Sequence, residues 1–319
     1  VSEDTEDLLA GSRIDSVHTD PSAIDGMEEA ASHEHAAVAP DGSVVGFKAS
    51  RTLRLRVELV RQLRRRRTQL MLGLLILLPV VLVIAFEISS ANPNQRSGGF
   101  VDLATASAPN FVVFALFVSG SFLLPMIVGI FFGDTIASEA SWSSLKYLLA
   151  MPIPRHRVIR QKAIASGLLS FFAIVLLPLV SLIIGIIWYG TGQAVSPTGD
   201  AVSFSDGLLA IAGATVYIAV QLLWVAGLAL FLSVSTDAPL GAVGGTVLVA
   251  IVSQILDQIT ALEGLRNYLP THYAFAWSDL ISTDIDWSEM IRGTFSALVY
   301  AAIFGFLAIR RFTRKDITS

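Results

Sequence analysis

Six long apolar blocks, near residues 70–88, 111–133, 163–189, 207–233, 239–256 and 290–309, limit what this chain can fold into. A helix rises about 1.5 Å per residue, so roughly 20 apolar residues cross the ~30 Å of bilayer hydrocarbon. Each block approaches or exceeds that length. Backbone amides find no water in hydrocarbon and must bond among themselves, which leaves helices or closed barrels. Barrel strands alternate over about ten residues between lipid and lumen, whereas these blocks are longer and do not alternate. The sequence therefore predicts an all-α integral membrane protein with six transmembrane helices.

Charge is distributed as unevenly as hydropathy. Hydrophobic residues make up 53% of the chain and the formal net charge is −4, with a mean hydropathy of +0.65. Residues 1–46 hold 11 Asp and Glu against the single basic Arg13, and the remainder holds 21 Lys and Arg against 15 Asp and Glu. The membrane part is thus basic. Residues 1–46 have too few large apolar groups to offset chain entropy and read as a disordered acidic cytoplasmic tail. The His33/His35 pair within it reads as solvated rather than metal-binding. With no cysteine, disulfides, iron–sulfur clusters and thiolate metal sites are excluded. The N-terminus lacks the basic and short apolar regions of a secretory signal, so the first block is expected to stay as an anchor.

Residues 47–68 form a basic amphipathic stretch. Leu53, Val57, Leu59, Val60 and Leu63 share an apolar face, and Arg51, Arg54, Glu58, Arg61 and Arg65 lie opposite. Glu58 is placed to pair with Arg54 or Arg61. Such a helix next to a span reads as lying in the cytoplasmic interface, with Arg64–Arg67 among anionic headgroups. Six spans across 69–310 then put the 134–162 connector, the 234–238 turn and the chain from Arg310 onward, including the basic tail 311–319, on the same side as the N-terminus. Those segments carry 19 of the 22 Lys and Arg; Arg96, Arg266 and Arg292 are the exceptions. By the positive-inside rule both termini are cytoplasmic and the protein is multi-pass in the cell membrane. Trp188, Tyr189 and Trp287 mark the outer boundary, and Pro79, Pro125 and Pro178 are expected to kink their spans. Gly241 and Gly245 fit close helix packing within the subunit.

Few residues suggest chemistry. There is no His-Glu-x-x-His, Gly-x-Ser-x-Gly or Gly-x-Gly-x-x-Gly motif, and no lysine follows a glycine, so no phosphate-binding Walker loop exists. No catalytic residue and no metal ligand is nominated, and no nucleic-acid partner is expected. The apolar blocks are almost free of ionisable groups, which argues against an ion-coupled carrier. Gln221 and Gln254 are the deepest polar side chains, suited to lining a pathway or to bonding between helices. His272, near Tyr273 and Asp279, is the one hint of catalysis.

The connector after the second block is the most informative. Between Ala137 and Ala150, Trp142, Leu145, Leu148 and Leu149 fall on one helical face, and Glu139, Ser143 and Lys146 on another. Pro152 and Pro154 end the helix. A cytoplasmic helix of this kind between spans 2 and 3 suits a partner's groove, the alternative being a surface helix resting on the bilayer.

Here the sequence resembles the ABC-2 type permeases, the membrane subunits of ATP-binding-cassette exporters. The matching residues are Glu139, Ser143-Ser144-Leu145 (where Gly-Thr precedes the leucine in most members), Leu148-Leu149, Pro152 and Arg155, then Lys162. The resemblance runs from the basic helix through the sixth span. It implies a connecting helix bearing Arg51, Arg54, Arg61, Arg64 and Arg65. It also implies a coupling helix presenting Glu139, Trp142, Leu145, Lys146, Tyr147, Leu148, Pro152 and Arg155 to a cytosolic ATPase. Short re-entrant or interfacial helices would occupy Arg266–Asp279. ATP and Mg would belong to the ATPase, with no cofactor in this chain, and a second permease subunit, identical or related, would complete the pathway. The expected role is export of an amphipathic or apolar substrate such as a drug, antibiotic or lipid. A membrane-embedded lipid-modifying enzyme and a structural or regulatory membrane subunit are the alternatives.

Overall fold

A computed structural model describes residues 55–90, 99–141, 155–196, 199–282 and 284–314. The acidic tail, residues 1–46, lies outside the described residues, and everything below concerns the unit from Lys48 to Ser319. Six helices are long and apolar enough to cross a membrane: Arg66–Ser89, Leu123–Ser141, Arg155–Tyr189, Phe204–Ser235, Pro239–Asp257 and Trp287–Arg314. The chain is a multi-pass helical membrane protein.

The amphipathic stretch ends earlier than expected. Its described helix, α1, is Leu55–Leu63, and after a turn the first spanning helix α2 starts at Arg66 and runs to Ser90. Arg66 and Arg67 thus belong to the first span rather than to the interfacial helix. Pro79 sits inside α2 without ending it.

The second span also departs from its apolar block. A short helix α3, Phe100–Ala104, leads into α4, Ala108–Gly120, and after a two-residue break α5 runs from Leu123 to Ser141. Proline chemistry explains the break. Pro125 has no N–H, so the carbonyl four residues back, that of Ser121, loses its helical donor. The side-chain amide of Gln254 donates to that carbonyl instead. Pro125 then occupies the first turn of α5, where a missing N–H costs nothing. At its far end α5 continues eight residues past the apolar block. The helix expected to begin at Ala137 is, through Ser141, the end of this span, and 142–154 lie outside the described residues.

The third span, α6, extends over Arg155–Tyr189 and keeps Pro178 in its interior. A two-residue hairpin, β1 Ala194–Val195 with β2 Ala201–Val202, follows. Asn110 holds β1 as a neighbouring strand would: its Nδ2 donates to the Val195 carbonyl (2.9 Å) and its Oδ1 accepts from the Val195 amide (2.8 Å). The fourth span consists of α7, Phe204–Gln221, and α8, Leu223–Ser235, divided at Leu222. Beyond α9, Pro239–Asp257, two 3-10 segments, Thr260–Tyr268 and Ala276–Ile281, precede α10, Trp287–Arg314. The second of these buries Trp277 to 1% exposure. Phe117 packs on both Trp277 and Phe275, with ring centroids at 4.8 and 5.1 Å.

The core lies where α5 meets α6, α8 and α9, and where α8 meets α10. Within its most apolar window α5 is 78% buried, against 22% for α2 and α9 and 17% for α10. So α5 is the central helix, and the exposed leucines, isoleucines and phenylalanines of α2, α9 and α10 form the hydrocarbon-facing surface. Polar bonds fix the centre. The amides of Ile136 and Ala137 both donate to Ser233 Oγ at 3.0 Å, and Ser166 Oγ donates to the Phe131 carbonyl at 2.8 Å. Small hydroxyl side chains allow such close approach while satisfying each other in a medium without water. Gly227 serves the same end: a Cβ there would lie 3.1 Å from the Ala301 carbonyl of α10.

Candidate functional site

At one end of the bundle, where α1 meets the ends of α5 and α6, seven charged side chains converge. Glu139 on α5 accepts from Lys162 Nζ on α6 (2.6 Å) and from Arg61 on α1 (2.7 Å). Arg61 also pairs with Glu58 at 2.8 Å, and Lys162 stands 3.5 Å from Glu58. One turn away, Asp134 is gripped through separate oxygens by Arg65 (2.7 Å) and Arg67 (2.8 Å). Lys162 is 5% exposed, and Glu139 and Asp134 are 7% exposed. Asp134 and Glu139 lie five positions apart on α5, more than one turn, so each meets its own partners: Arg65 and Arg67 reach Asp134, and Arg61 and Lys162 reach Glu139.

Four cations meet three carboxylates, which leaves the cluster one positive charge in excess. A cleft of about 560 Å³ opens beside it, lined by Arg61, Arg65, Arg66, Arg67, Asp134, Ser138, Glu139 and Pro239. Burial alone would raise the Glu58 carboxyl, but the Lys162 charge and the hydrogen bonds from Arg61 and Gln62 outweigh it and hold Glu58 at about 2. Burial likewise opposes the charge of Arg61, yet Glu58 and Glu139 raise its affinity for the proton. A depressed carboxyl stabilises the fold above its unfolded value, here the ordinary 4.5, and loses that contribution as pH falls through its folded value near 2. The docking of α1 should therefore hold at neutral pH and weaken progressively between pH 4.5 and 2. Amide protection over 55–63, measured by mass spectrometry relative to the intrinsic exchange rate at each pH, should fall across that window, and Glu58→Gln should remove the dependence.

Several residues singled out in the sequence stand elsewhere than expected. Asp134, Glu139 and Lys162 were placed in a connector, but they lie within spanning helices, whose ends are therefore not free of ionisable groups. Glu139 is turned inward to Arg61 and Lys162. Arg65 and Arg67, expected among headgroups, are committed to Asp134, whereas Arg64 is exposed on the α1–α2 turn. Arg155 begins α6 and donates to the Thr313 carbonyl of α10 at 3.1 Å. Trp142, Leu145, Lys146, Tyr147, Leu148, Pro152, Arg51 and Arg54, like His33 and His35, lie outside the described residues. Gln221 donates to the Pro270 carbonyl (2.8 Å) and Gln254 to that of Ser121, so both amides satisfy backbone groups between segments. At the opposite end, His272 contacts Asp257 through Nδ1, not Asp279 as the sequence hinted, and Arg266 donates to the Asp257 carbonyl at 3.2 Å. Among the described residues no group of three or more His, Cys, Asp or Glu is arranged to hold a metal.

Residues 77–318 match the family described as "Protein of unknown function (DUF2705)". The chain belongs to this family. The matched stretch of the DUF2705 chain includes Asp134, Glu139 and Lys162, whereas Glu58, Arg61, Arg65 and Arg67 precede it. The chain is also 26% identical over 215 residues to the uncharacterized protein YhcI of Bacillus subtilis (strain 168), a match covering 63% of this chain and 66% of that protein. The DUF2705 chain thus spans just under two thirds of that relative's length.

Proposed function

We propose that this DUF2705 chain is the permease subunit of an ABC-2 type exporter, with its charged end in the cytoplasm. A separate ATPase would supply the energy, and a second permease subunit, identical or related, would complete the pathway. The observation carrying this reading is the ion-pair network that ties α1 to the ends of α5 and α6. The network flanks residues 142–154, which lie outside the described residues and belong to the 134–155 segment that resembles a coupling helix. Ionic contacts of 2.6–2.8 Å through partly dry surroundings make α1, α5 and α6 one mechanical unit. Force applied at 142–154 by a closing ATPase pair enters α5 directly. Because α5 packs on α6, α8 and α9, displacing it repositions most of the bundle. ATP shifts the equilibrium only if its binding favours one of the two arrangements, and the ATPase provides that bias. The apolar interior suits an amphipathic or apolar substrate.

Copurification from native membranes with a cytosolic ATPase is the expected result. Trp142→Ala should reduce chain-stimulated ATP hydrolysis by about tenfold or more, the range for truncating a central aromatic anchor. Undiminished stimulation and export in Trp142→Ala and Tyr147→Ala together, or labelling of 142–154 from outside the cell, would count decisively against it. Lipid modification by the purified chain alone would instead establish the membrane-enzyme reading.

A further inference from the structure

The arginines at the end of α10 differ from those of α1 and α2. Arg61, Arg65 and Arg67 each have a carboxylate within 2.9 Å. Arg310, Arg311 and Arg314 have no ion pair among the described residues, yet all three line one cleft of about 620 Å³ between the ends of α8 and α10. Positions 307, 310, 311 and 314 recur at helical spacing, so Leu307 and the three guanidinium groups share one face. Opposite them stand Phe231 of α8 and, just beyond it, Asp237. The cleft therefore holds three positive charges against one negative, with an apolar wall at its deeper side. Like charges at this spacing repel, and a bound anion relieves them. The outer row of α10 leads into the same place: Ile303, Phe306 and Ile309 are 48%, 63% and 47% exposed on the hydrocarbon-facing surface.

We propose that this cleft binds the phosphate headgroup of an anionic diacyl lipid, whose chains continue along Phe231, Leu307 and Phe306. Guanidinium groups engage phosphate oxygens through paired, charge-assisted hydrogen bonds, which favours this occupant over a zwitterionic headgroup carrying its own cation. Leu307 and Phe231 favour a lipid over an acidic protein surface. The ordinary alternative is that these arginines only mark the cytoplasmic side and interact with the negative end of the α10 dipole. That alternative has no need of a cleft, and it makes a different prediction about lipid selectivity. The inference does not depend on the exporter reading.

The test is native mass spectrometry of the full chain released from nanodiscs of mixed phosphatidylglycerol and phosphatidylcholine. The expected result is one phosphatidylglycerol retained per chain, with a preference of roughly tenfold or more over phosphatidylcholine, equivalent to about 1.4 kcal/mol. Arg310→Gln/Arg311→Gln/Arg314→Gln should abolish the preference, while Arg64→Gln on the exposed α1–α2 turn should leave it intact. Arg314→Gln alone, in the last turn and harmless to folding, should reduce it about threefold, which guards against misfolding of the triple variant. Millimolar inorganic phosphate should not displace the lipid. Retention unchanged in both α10 variants, displacement by phosphate alone, or equal retention of phosphatidylcholine would each overturn the proposal.

Discussion

Glu139→Leu should destabilise the folded chain by about 3–5 kcal/mol, the cost of leaving one member of a buried ion pair without its partner. The burden falls on Lys162, which is 5% exposed and among the described residues would keep only Glu58, at 3.5 Å. Arg61 suffers less, because it retains Glu58 at 2.8 Å and reaches solvent. The double variant Glu139→Leu/Lys162→Met should recover most of the loss, since an apolar pair of similar volume in the same place carries no desolvation penalty. Thermal unfolding in detergent micelles measures both. If the single and double variants unfold at the same temperature, the pair does not hold α5 to α6 and the linkage described above is wrong.

Gly293→Ala is the second large effect. A Cβ on Gly293 would meet the Tyr217 hydroxyl in hard overlap and lie 2.6 Å from Tyr273 Cβ. That hydroxyl donates to the Tyr273 carbonyl at 2.7 Å, binding α7 to the segment that precedes α10. Alanine therefore forces α10 outward and breaks a buried hydrogen bond, at an expected cost of about 1–3 kcal/mol for overpacking and about 1 kcal/mol more for the bond. Gly305→Ala, in the same helix but with no atom within 4 Å of the added methyl, is the matched control. It should be neutral or stabilising by up to about 1 kcal/mol, because alanine is the better helix former. Opposite shifts in unfolding temperature are expected for the two variants, and a neutral Gly293→Ala would show that α10 does not press on Tyr217.

How much of this was legible in the sequence depends on the range of the interactions. Six spans follow from local composition, because hydrocarbon imposes length and polarity on any segment that crosses it. The amphipathic α1 was likewise visible, and so was the Glu58–Arg61 pairing, three residues apart. The break between α4 and α5 was only half visible. Pro125 announces an orphaned carbonyl, but a kink and a clean break look alike until the donor, Gln254, is found 133 residues away. The charged cluster was misplaced for a related reason. Hydropathy falls at Asp134, so a reading by composition ends the span there. The helix continues because Arg65, Arg67, Arg61 and Lys162 neutralise its acids from other elements, across separations of 23 to 78 residues. No local signal carries that information. The same holds for His272, whose partner Asp257 belongs to the preceding helix.

The acidic end of α5 also bears on biosynthesis. A nascent segment with two carboxylates near its terminus resists lateral release from a translocation channel, and one of the bases that neutralises Glu139 is Lys162, made 23 residues later. Spans 2 and 3 should consequently leave the channel together as a hairpin.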